Sequence, residues 1–191
     1  LNNYKLVLVD VDNQTGLICL EDLKKKLTKK TKVVIPVNLY GQRVDLKKIQ
    51  KVVGKKVHII EDSAQSHFAF EGNTGKIINN NIAIASCFSF YPAKNLGAFG
   101  DGGIITTNNK NVYNKLLALR NLGSVKKNKH VFIGMNSRLD TIQATVLLNK
   151  LKTILNLNAK RRKIGMLYDK LLKNIKQIKL TKTNKGSTTL K

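Results

Sequence analysis

The sequence predicts an α/β protein with a mostly parallel sheet. Short apolar segments alternate with amphipathic helical segments through the first half of the chain. Strands joined by helices of this length form parallel sheets with right-handed crossovers. No apolar run approaches the roughly 20 residues of a membrane span, which disfavours a membrane anchor within this sequence. The 191 residues suffice for one domain or for part of a larger one.

The first predicted strand is the apolar segment KLVLVDV at residues 5–11. A helix is predicted at residues 20–27, where leucines recur with helical spacing and share one face. The segment VVIPV at residues 33–37 is the next predicted strand. These elements begin the strand–helix alternation.

The second predicted helix begins after Asp45, which stands at the N-cap position. A third strand, VHII at residues 57–60, ends abruptly in the acidic pair Glu61 and Asp62. The inward face of the helix is predicted to consist of Leu46, Ile49, Val52 and Val53.

The second half of the chain changes from strands to helices. From Asn108 onward the pattern is helical, and residues 136–172 are predicted to form two helices, the second of them long and Lys-rich and ending at about Leu172. The segments that precede these helices are, in order, a loop at 72–81, a strand at 82–90, a Gly-dense turn region at 91–103 and a strand at 104–107.

The net charge of +24 points to a nucleic-acid partner if it is taken alone. Proteins that bind phosphates and bases rely on Arg forks and interleaved aromatic residues, and neither pattern is present. Lys, Asn and Ile all have A/T-rich codons, so a biased genome explains the excess as well as a partner does. The two cysteines, Cys19 and Cys87, form neither a disulfide framework nor a zinc site.

Three candidate functional residues lie where open α/β sheets bind ligands, beyond the carboxyl ends of strands. Asp62 follows VHII and can hold a positive ring nitrogen or a metal; the alternative is that it caps the next helix. Lys94 lies between an aromatic-rich strand end and a run of glycines, where its amine is desolvated and suited to Schiff-base chemistry. The alternative is a surface lysine. Ser89, at the end of the predicted strand, can bind a phosphate together with backbone N–H groups.

A carboxylate, an amine and a phosphate-binding hydroxyl on the strand ends of one sheet match the needs of pyridoxal 5'-phosphate. Its ring nitrogen pairs with a carboxylate, its aldehyde reacts with an amine and its phosphate binds several hydrogen-bond donors. The three residues together therefore favour a pyridoxal-phosphate site.

Four segments of this sequence resemble, in order and spacing, the DegT/StrS family of sugar aminotransferases. The segments are VVIPVNLYGQRVDLKKI, EDSAQSHFAFEGNTGK, CFSFYPAKNLGAFGDGGIITTN and GMNSRLDTIQATVLLNKL. The resemblance implies the large domain of the fold-type I pyridoxal-phosphate enzymes, a three-layer sandwich, here incomplete at both ends. It also implies a homodimer that aminates a keto group, at carbon 3 or 4, of a nucleotide-linked 6-deoxysugar, with glutamate as amino donor.

The same resemblance implies a role for individual residues. Lys94 is the Schiff-base lysine, Asp62 pairs with the pyridine nitrogen and Gln65 lies against the ring near its phenolic oxygen. Ser89 binds the cofactor phosphate, and Asn136 reaches across the dimer to the phosphate of the partner subunit. On the substrate side lie Tyr91 and His67, and no metal is expected.

The resemblance divides the chain into a partial cofactor-binding domain at 1–155 and, at 156–191, a helix and tail leading toward a missing small domain. A cytoplasmic enzyme of deoxysugar and polysaccharide biosynthesis is expected. Two alternatives stay open: a homologue that binds pyridoxal phosphate in a regulatory role, and a Lys-rich nucleic-acid-binding protein.

Overall fold

A four-stranded sheet forms the centre of the protein in a computed structural model, which describes residues 4–69 and 81–183. The first three strands pair in parallel, and the fourth pairs antiparallel to the third. This arrangement confirms the predicted α/β class with a mostly parallel sheet. In sheet order the strands are β1 (Val33–Val34), β2 (His58–Asp62), β3 (Ala85–Ser89) and β4 (Gly103–Thr106).

Five α-helices and one short 3-10 helix (Leu39–Gly41) lie in the described part of the chain, and a small antiparallel hairpin lies between the third and fourth α-helices. The long helix ends at Leu172, as predicted. None of the helices in the described ranges is long and apolar enough to cross a membrane. The elements are α1 (Leu20–Lys26), α2 (Leu46–Val53), α3 (Lys110–Leu119), the hairpin strands β5 (Ser124–Lys126) and β6 (Lys129–His130), α4 (Thr141–Leu151) and α5 (Ile154–Leu172).

One hydrophobic core packs α1 and α2 against the first two strands. Ile49 of α2 and Ile59 of β2 are each 1% exposed at its centre. Burying an aliphatic side chain of this size stabilises a fold by about 1.5–3 kcal/mol. The buried members of this core are Leu17, Leu23, Val34, Val44, Leu46, Ile49 and Ile59.

A second core joins the segment after β3 to the helices α4 and α5. Phe90, Leu96 and Ala98 come from that segment, Leu147 from α4 and Ile154 from the first turn of α5. Because these side chains are buried together, the Gly-dense region around Lys94 is held against two helices rather than left as a free surface loop.

The predicted strand at residues 5–11 is wrong. Residues 5–10 have no regular structure, and Leu6 and Leu8 are 80% and 75% exposed. An apolar run becomes a strand only when a neighbouring strand takes up its backbone hydrogen bonds. Among the described residues, this segment forms a single isolated β-bridge, between Val11 and Ile18.

The predicted strand at residues 33–37 is present but shorter, as β1 and one further bridge between Val37 and Asp62. Pro36 interrupts the ladder because proline has no N–H to donate. Its carbonyl still accepts from the N–H of Asp62 at 3.0 Å. Of the predicted loop at 72–81, only its last residue lies within the described residues.

We predict that Asp45→Ala lowers the free energy of unfolding by about 1 kcal/mol, because Asp45 caps α2. Its Oδ1 accepts a hydrogen bond from the N–H of Lys48 at 3.0 Å, as the sequence predicts for an N-cap. Urea denaturation measures the change. Asp45→Asn keeps a capping oxygen and is the matched control; equal losses in both variants would contradict a role of the cap itself.

Candidate active site

The carboxyl ends of β2 and β3 bring two of the predicted site residues together. The parallel register pairs Asp62 with Cys87, two residues before Ser89. Alternate residues of a strand share a face, so Cys87 and Ser89 lie on one face of β3 beside Asp62. The N–H of Ser63 donates to the carbonyl of Cys87 at 2.8 Å and extends this contact past the end of β2. The site therefore lies at the edge where α/β sheets bind ligands.

The carboxylate of Asp62 faces this edge and does not cap a helix. Residues 63–69 form turns, so the alternative that Asp62 opens a helix is wrong. Its Oδ1 accepts from the N–H of Ala64 at 3.0 Å, which holds the carboxylate at the end of the strand. Burial raises the pKa of the Cys87 thiol, and the negative charge of Asp62 raises it further. The strand register, which pairs Asp62 with Cys87, accounts for the effect of the charge on the thiol.

Lys94 lies in a tight turn after β3 and is half-buried, unlike an exposed surface lysine. Its N–H donates to the carbonyl of Tyr91 at 2.9 Å. The N–H of Tyr91 in turn donates to Ser89 Oγ at 3.2 Å. The turn needs a glycine at position 97, because a Cβ on Gly97 would lie 2.3 Å from the carbonyl oxygen of Pro92.

His67 is buried beside this turn, with 3% of its surface exposed. Its ring centroid lies 5.6 Å from that of Phe88 and 6.0 Å from that of Phe90. Burial lowers the pKa of His67; the Ser89 backbone lies close enough to oppose this shift, and the positive charge of Lys94 adds to it. The lowered pKa therefore favours the neutral imidazole at pH 7.

Neither ring nitrogen of His67 makes a hydrogen bond of good geometry to the described residues. The Ser89 backbone is near the ring but not aligned for one. Buried polar atoms are nearly always paired with protein, water or a ligand. Among the described residues, the buried His67 ring therefore packs on Phe88 and Phe90 without a well-aligned polar partner.

The other three predicted site residues, Gln65, Tyr91 and Asn136, lie in three different segments of the chain. Gln65 Oε1 accepts from the N–H of Tyr40 at 2.8 Å, which ties Gln65 to the loop after β1. Tyr91 is 54% exposed on the outer side of the turn. Asn136 is exposed and forms a backbone bridge with Asn121, beside the hairpin. Within the described ranges no hydrogen bond joins Asn136 to Asp62, Ser89 or Lys94, so its predicted reach to a partner subunit stays a prediction.

The sequence reasoning missed Glu61, which is 2% exposed on the opposite face of β2. Its carboxylate accepts from Asn38 Nδ2 at 3.1 Å and from Ser86 Oγ at 2.7 Å, and it forms a salt bridge with Arg43 at 3.1 Å. Strand parity could have revealed it, because Glu61 shares a face with the buried Ile59. A carboxylate on this buried face needs hydrogen-bond or ion-pair partners inside the protein, because water does not reach it.

Asn38 extends this network to the rest of the site. It is fully buried; its Nδ2 also donates to Ser63 Oγ at 2.9 Å, and its Oδ1 accepts from the N–H of Val44 at 2.9 Å. Its own N–H donates to the carbonyl of Asp62 at 2.8 Å. The loop after β1 is therefore anchored to the end of β2, next to Asp62.

A model of the DegT/DnrJ/EryC1/StrS aminotransferase family matches residues 1–190. The chain is 43% identical, over 174 residues, to the dTDP-3-amino-3,6-dideoxy-alpha-D-galactopyranose transaminase of Aneurinibacillus thermoaerophilus, covering 91% of this chain and 47% of that protein. It is 38% identical, over 173 residues, to the UDP-2-acetamido-2-deoxy-3-oxo-D-glucuronate aminotransferase of Pseudomonas aeruginosa, covering 90% of this chain and 47% of that protein.

The structure superposes on the crystal structure of S. venezuelae DesV in complex with a ketimine intermediate, with a TM-score of 0.87 and 34% sequence identity. The match covers 94% of this chain and 48% of that one. The chain thus spans about half the length of the relatives it matches.

We predict that Glu61→Ala lowers the free energy of unfolding by about 3 kcal/mol, because it leaves the Arg43 guanidinium without its buried partner. Ser86→Ala removes one hydrogen bond from the same carboxylate and should cost only about 1 kcal/mol. Denaturant titration followed by circular dichroism measures both. If the two losses are equal, Glu61 does not anchor the network.

We predict that Asp62→Asn makes Cys87 react faster with iodoacetamide at a pH of about 8. Removing the negative charge lowers the raised pKa of the thiol, so a larger fraction is thiolate at that pH. Peptide mass mapping measures the rate in the cofactor-free protein, with Cys19 as internal control. An unchanged rate at Cys87 would contradict the contact between the two side chains.

Proposed function

The chain belongs to the DegT/DnrJ/EryC1/StrS aminotransferase family, and on that premise we propose that it is the cofactor-binding part of an aminotransferase that uses pyridoxal 5'-phosphate to aminate a nucleotide-linked keto sugar. One observation carries the proposal: a carboxylate and a hydroxyl, Asp62 and Ser89, lie at the ends of neighbouring strands, and a half-buried lysine, Lys94, lies in the turn that follows β3. Both relatives named above are sugar aminotransferases, which supports the reaction class.

The donor set of the site fits pyridoxal phosphate. It contains an anion for a cationic ring nitrogen, an amine for an aldehyde and a hydroxyl for a phosphate. When bound, the group supplies an electron sink for negative charge on the carbon that carries the amino nitrogen.

Three residues hold and orient the group in this proposal. Asp62 Oδ1 accepts from the N–H of Ala64, and its other oxygen would pair with the ring nitrogen and favour its protonated form. Ser89 Oγ accepts from the N–H of Tyr91, so its hydroxyl proton would be available to a phosphate oxygen. Gln65 Oε1 accepts from the N–H of Tyr40, so its NH2 group would be the donor to the phenolic oxygen.

In this proposal, Lys94 Nζ is the group that takes part directly in the reaction. It would bind the cofactor through its aldehyde and, as a free amine, would serve as the group that takes up and returns a proton. Because His67 is neutral and buried, it does not add a second positive charge next to this amine. Its ring packs against Phe88 and Phe90.

The substrates follow from the relatives. We propose glutamate as amino donor and a nucleotide-linked keto sugar as acceptor, with the keto group at carbon 3 or 4, in ping-pong order. Tyr91 is exposed on the outer side of the turn, which suits a contact to the sugar. Activated sugars of this kind feed polysaccharide and deoxysugar synthesis, for which we propose a cytoplasmic location.

The assembly is also part of the proposal. We assign 1–155 to a partial large domain and 156–191 to a helix and tail leading to a small domain. The whole protein is proposed to be a homodimer in which the exposed Asn136 completes the phosphate site of the partner subunit. Its exposure beside the hairpin supports this role.

We predict that borohydride reduction of the full-length protein, after incubation with pyridoxal phosphate, labels Lys94. Mass mapping of the peptides identifies the modified residue. Lys94→Ala and Lys94→Arg should lose the label and at least about 100-fold in transaminase turnover, because neither side chain forms the covalent link or transfers the proton. Lys126→Ala, in the exposed hairpin, is the control and should keep both.

Full transaminase activity in Lys94→Ala would overturn the proposed mechanism. An unlabelled Lys94 in folded wild-type protein would also overturn it and would favour a binding or regulatory role.

A further inference from the structure

The turn that carries Lys94 is held from one side by α4 and α5. Three polar side chains on these helices bind alternate residues of the turn, so the contact is regular along its length. The pairs are Asn158 Oδ1 with Asn95 Nδ2 at 3.1 Å, Lys150 Nζ with the Gly97 carbonyl at 2.7 Å and Gln143 Oε1 with the N–H of Phe99 at 2.8 Å.

Asn158 differs from the other two because it binds two separate segments of the site. Its Nδ2 donates to the carbonyl of His67 at 3.2 Å, while its Oδ1 accepts from Asn95, the residue next to Lys94. A single amide group thus links the His67 segment to the Lys94 segment. Arg161 NH1, one helical turn further on, makes a longer contact of 3.4 Å to the same Oδ1.

Burial makes this link rigid. Asn158 is 1% exposed, and the neighbouring Ile154 is 2% exposed in the second core. A buried amide that lost these partners could not replace them with water, so the hydrogen bonds are costly to break. The position of the amide is set by α5, a helix of 19 residues, rather than by a loop.

We propose that Asn158 is a positioning residue that sets the Lys94 amine relative to the neutral His67 ring. The inference rests on the function proposed above and adds to it the residue that joins the two halves of the lysine environment. The hydrogen bonds of the Asn158 side chain go to the side chain of Asn95 and to the main-chain carbonyl of His67. Asn158 therefore acts on the Lys94 and His67 side chains indirectly.

The expected effect is a loss of catalytic geometry with little loss of binding. Asn158→Ala frees both segments, and a displacement of about 1 Å at a reacting group reduces turnover about 100-fold. The kcat should therefore fall by about that factor, while the KM for glutamate changes less than about threefold because no binding group is removed. Amides in 91–99 and 63–69 should exchange faster with deuterium in the cofactor-free protein.

The test uses the full-length protein and two variants that break the same bond from opposite sides. Asn158→Ala removes the link on the helix, and Asn95→Ala removes it on the half-buried turn, where folding is less at risk. Asn156→Ala, an exposed asparagine on the same helix, is the matched control. Hydrogen exchange is measured without cofactor, kcat and KM with it, and thermal unfolding for all variants.

The inference is supported if both site variants raise exchange in 91–99 and lower kcat, if the double variant is no worse than the poorer single variant, and if Asn156→Ala behaves as wild type. It is overturned if Asn95→Ala leaves exchange and kcat unchanged, or if all of the loss follows a fall in thermal stability. Failure of the proposed function is recognised separately, by wild-type protein whose Lys94 is not labelled after borohydride reduction.

Discussion

The buried carboxylate of Glu61 is the constraint on which the ligand-binding edge depends. Its carboxylate accepts hydrogen bonds from Asn38 and Arg43 in the loop after β1, and from Ser86 in β3. An ion pair with so little exposure needs all of its partners, because each missing one leaves a buried charge or donor unpaired. The network therefore holds the first three strands in register where Asp62 emerges.

Two consecutive carboxylates of β2 have opposite tasks because adjacent residues of a strand point to opposite faces. Glu61 points toward the buried polar network, on the face that Ile59 shares with the first core. Asp62 points to the edge beside Cys87. The structural role of the first keeps the strand end fixed, which is the preorganisation that the proposed role of Asp62 requires.

The turn with Lys94 is held by a different set of interactions. Its glycines allow the main chain to approach itself closely, as at Gly97 against Pro92, and apolar residues anchor both of its ends in the second core. Polar side chains of α4 and α5 then bind it along its length. The candidate site thus lies between two cores, and each core supports one part of it.

The sequence alone determined the α/β class, the cap at Asp45 and the end of the long helix, because local periodicity and capping are written in neighbouring residues. It also proposed Asp62, Ser89 and Lys94 as site residues from their positions near strand ends, and their roles stay predictions. It failed at residues 5–11, since an apolar run contains no information on whether a neighbouring strand exists. Only the tertiary structure revealed the partners of Glu61, the burial of His67 and the link through Asn158. These depend on residues that are distant in the chain, such as His67 and Asn158, and meet only when the helices pack against the sheet.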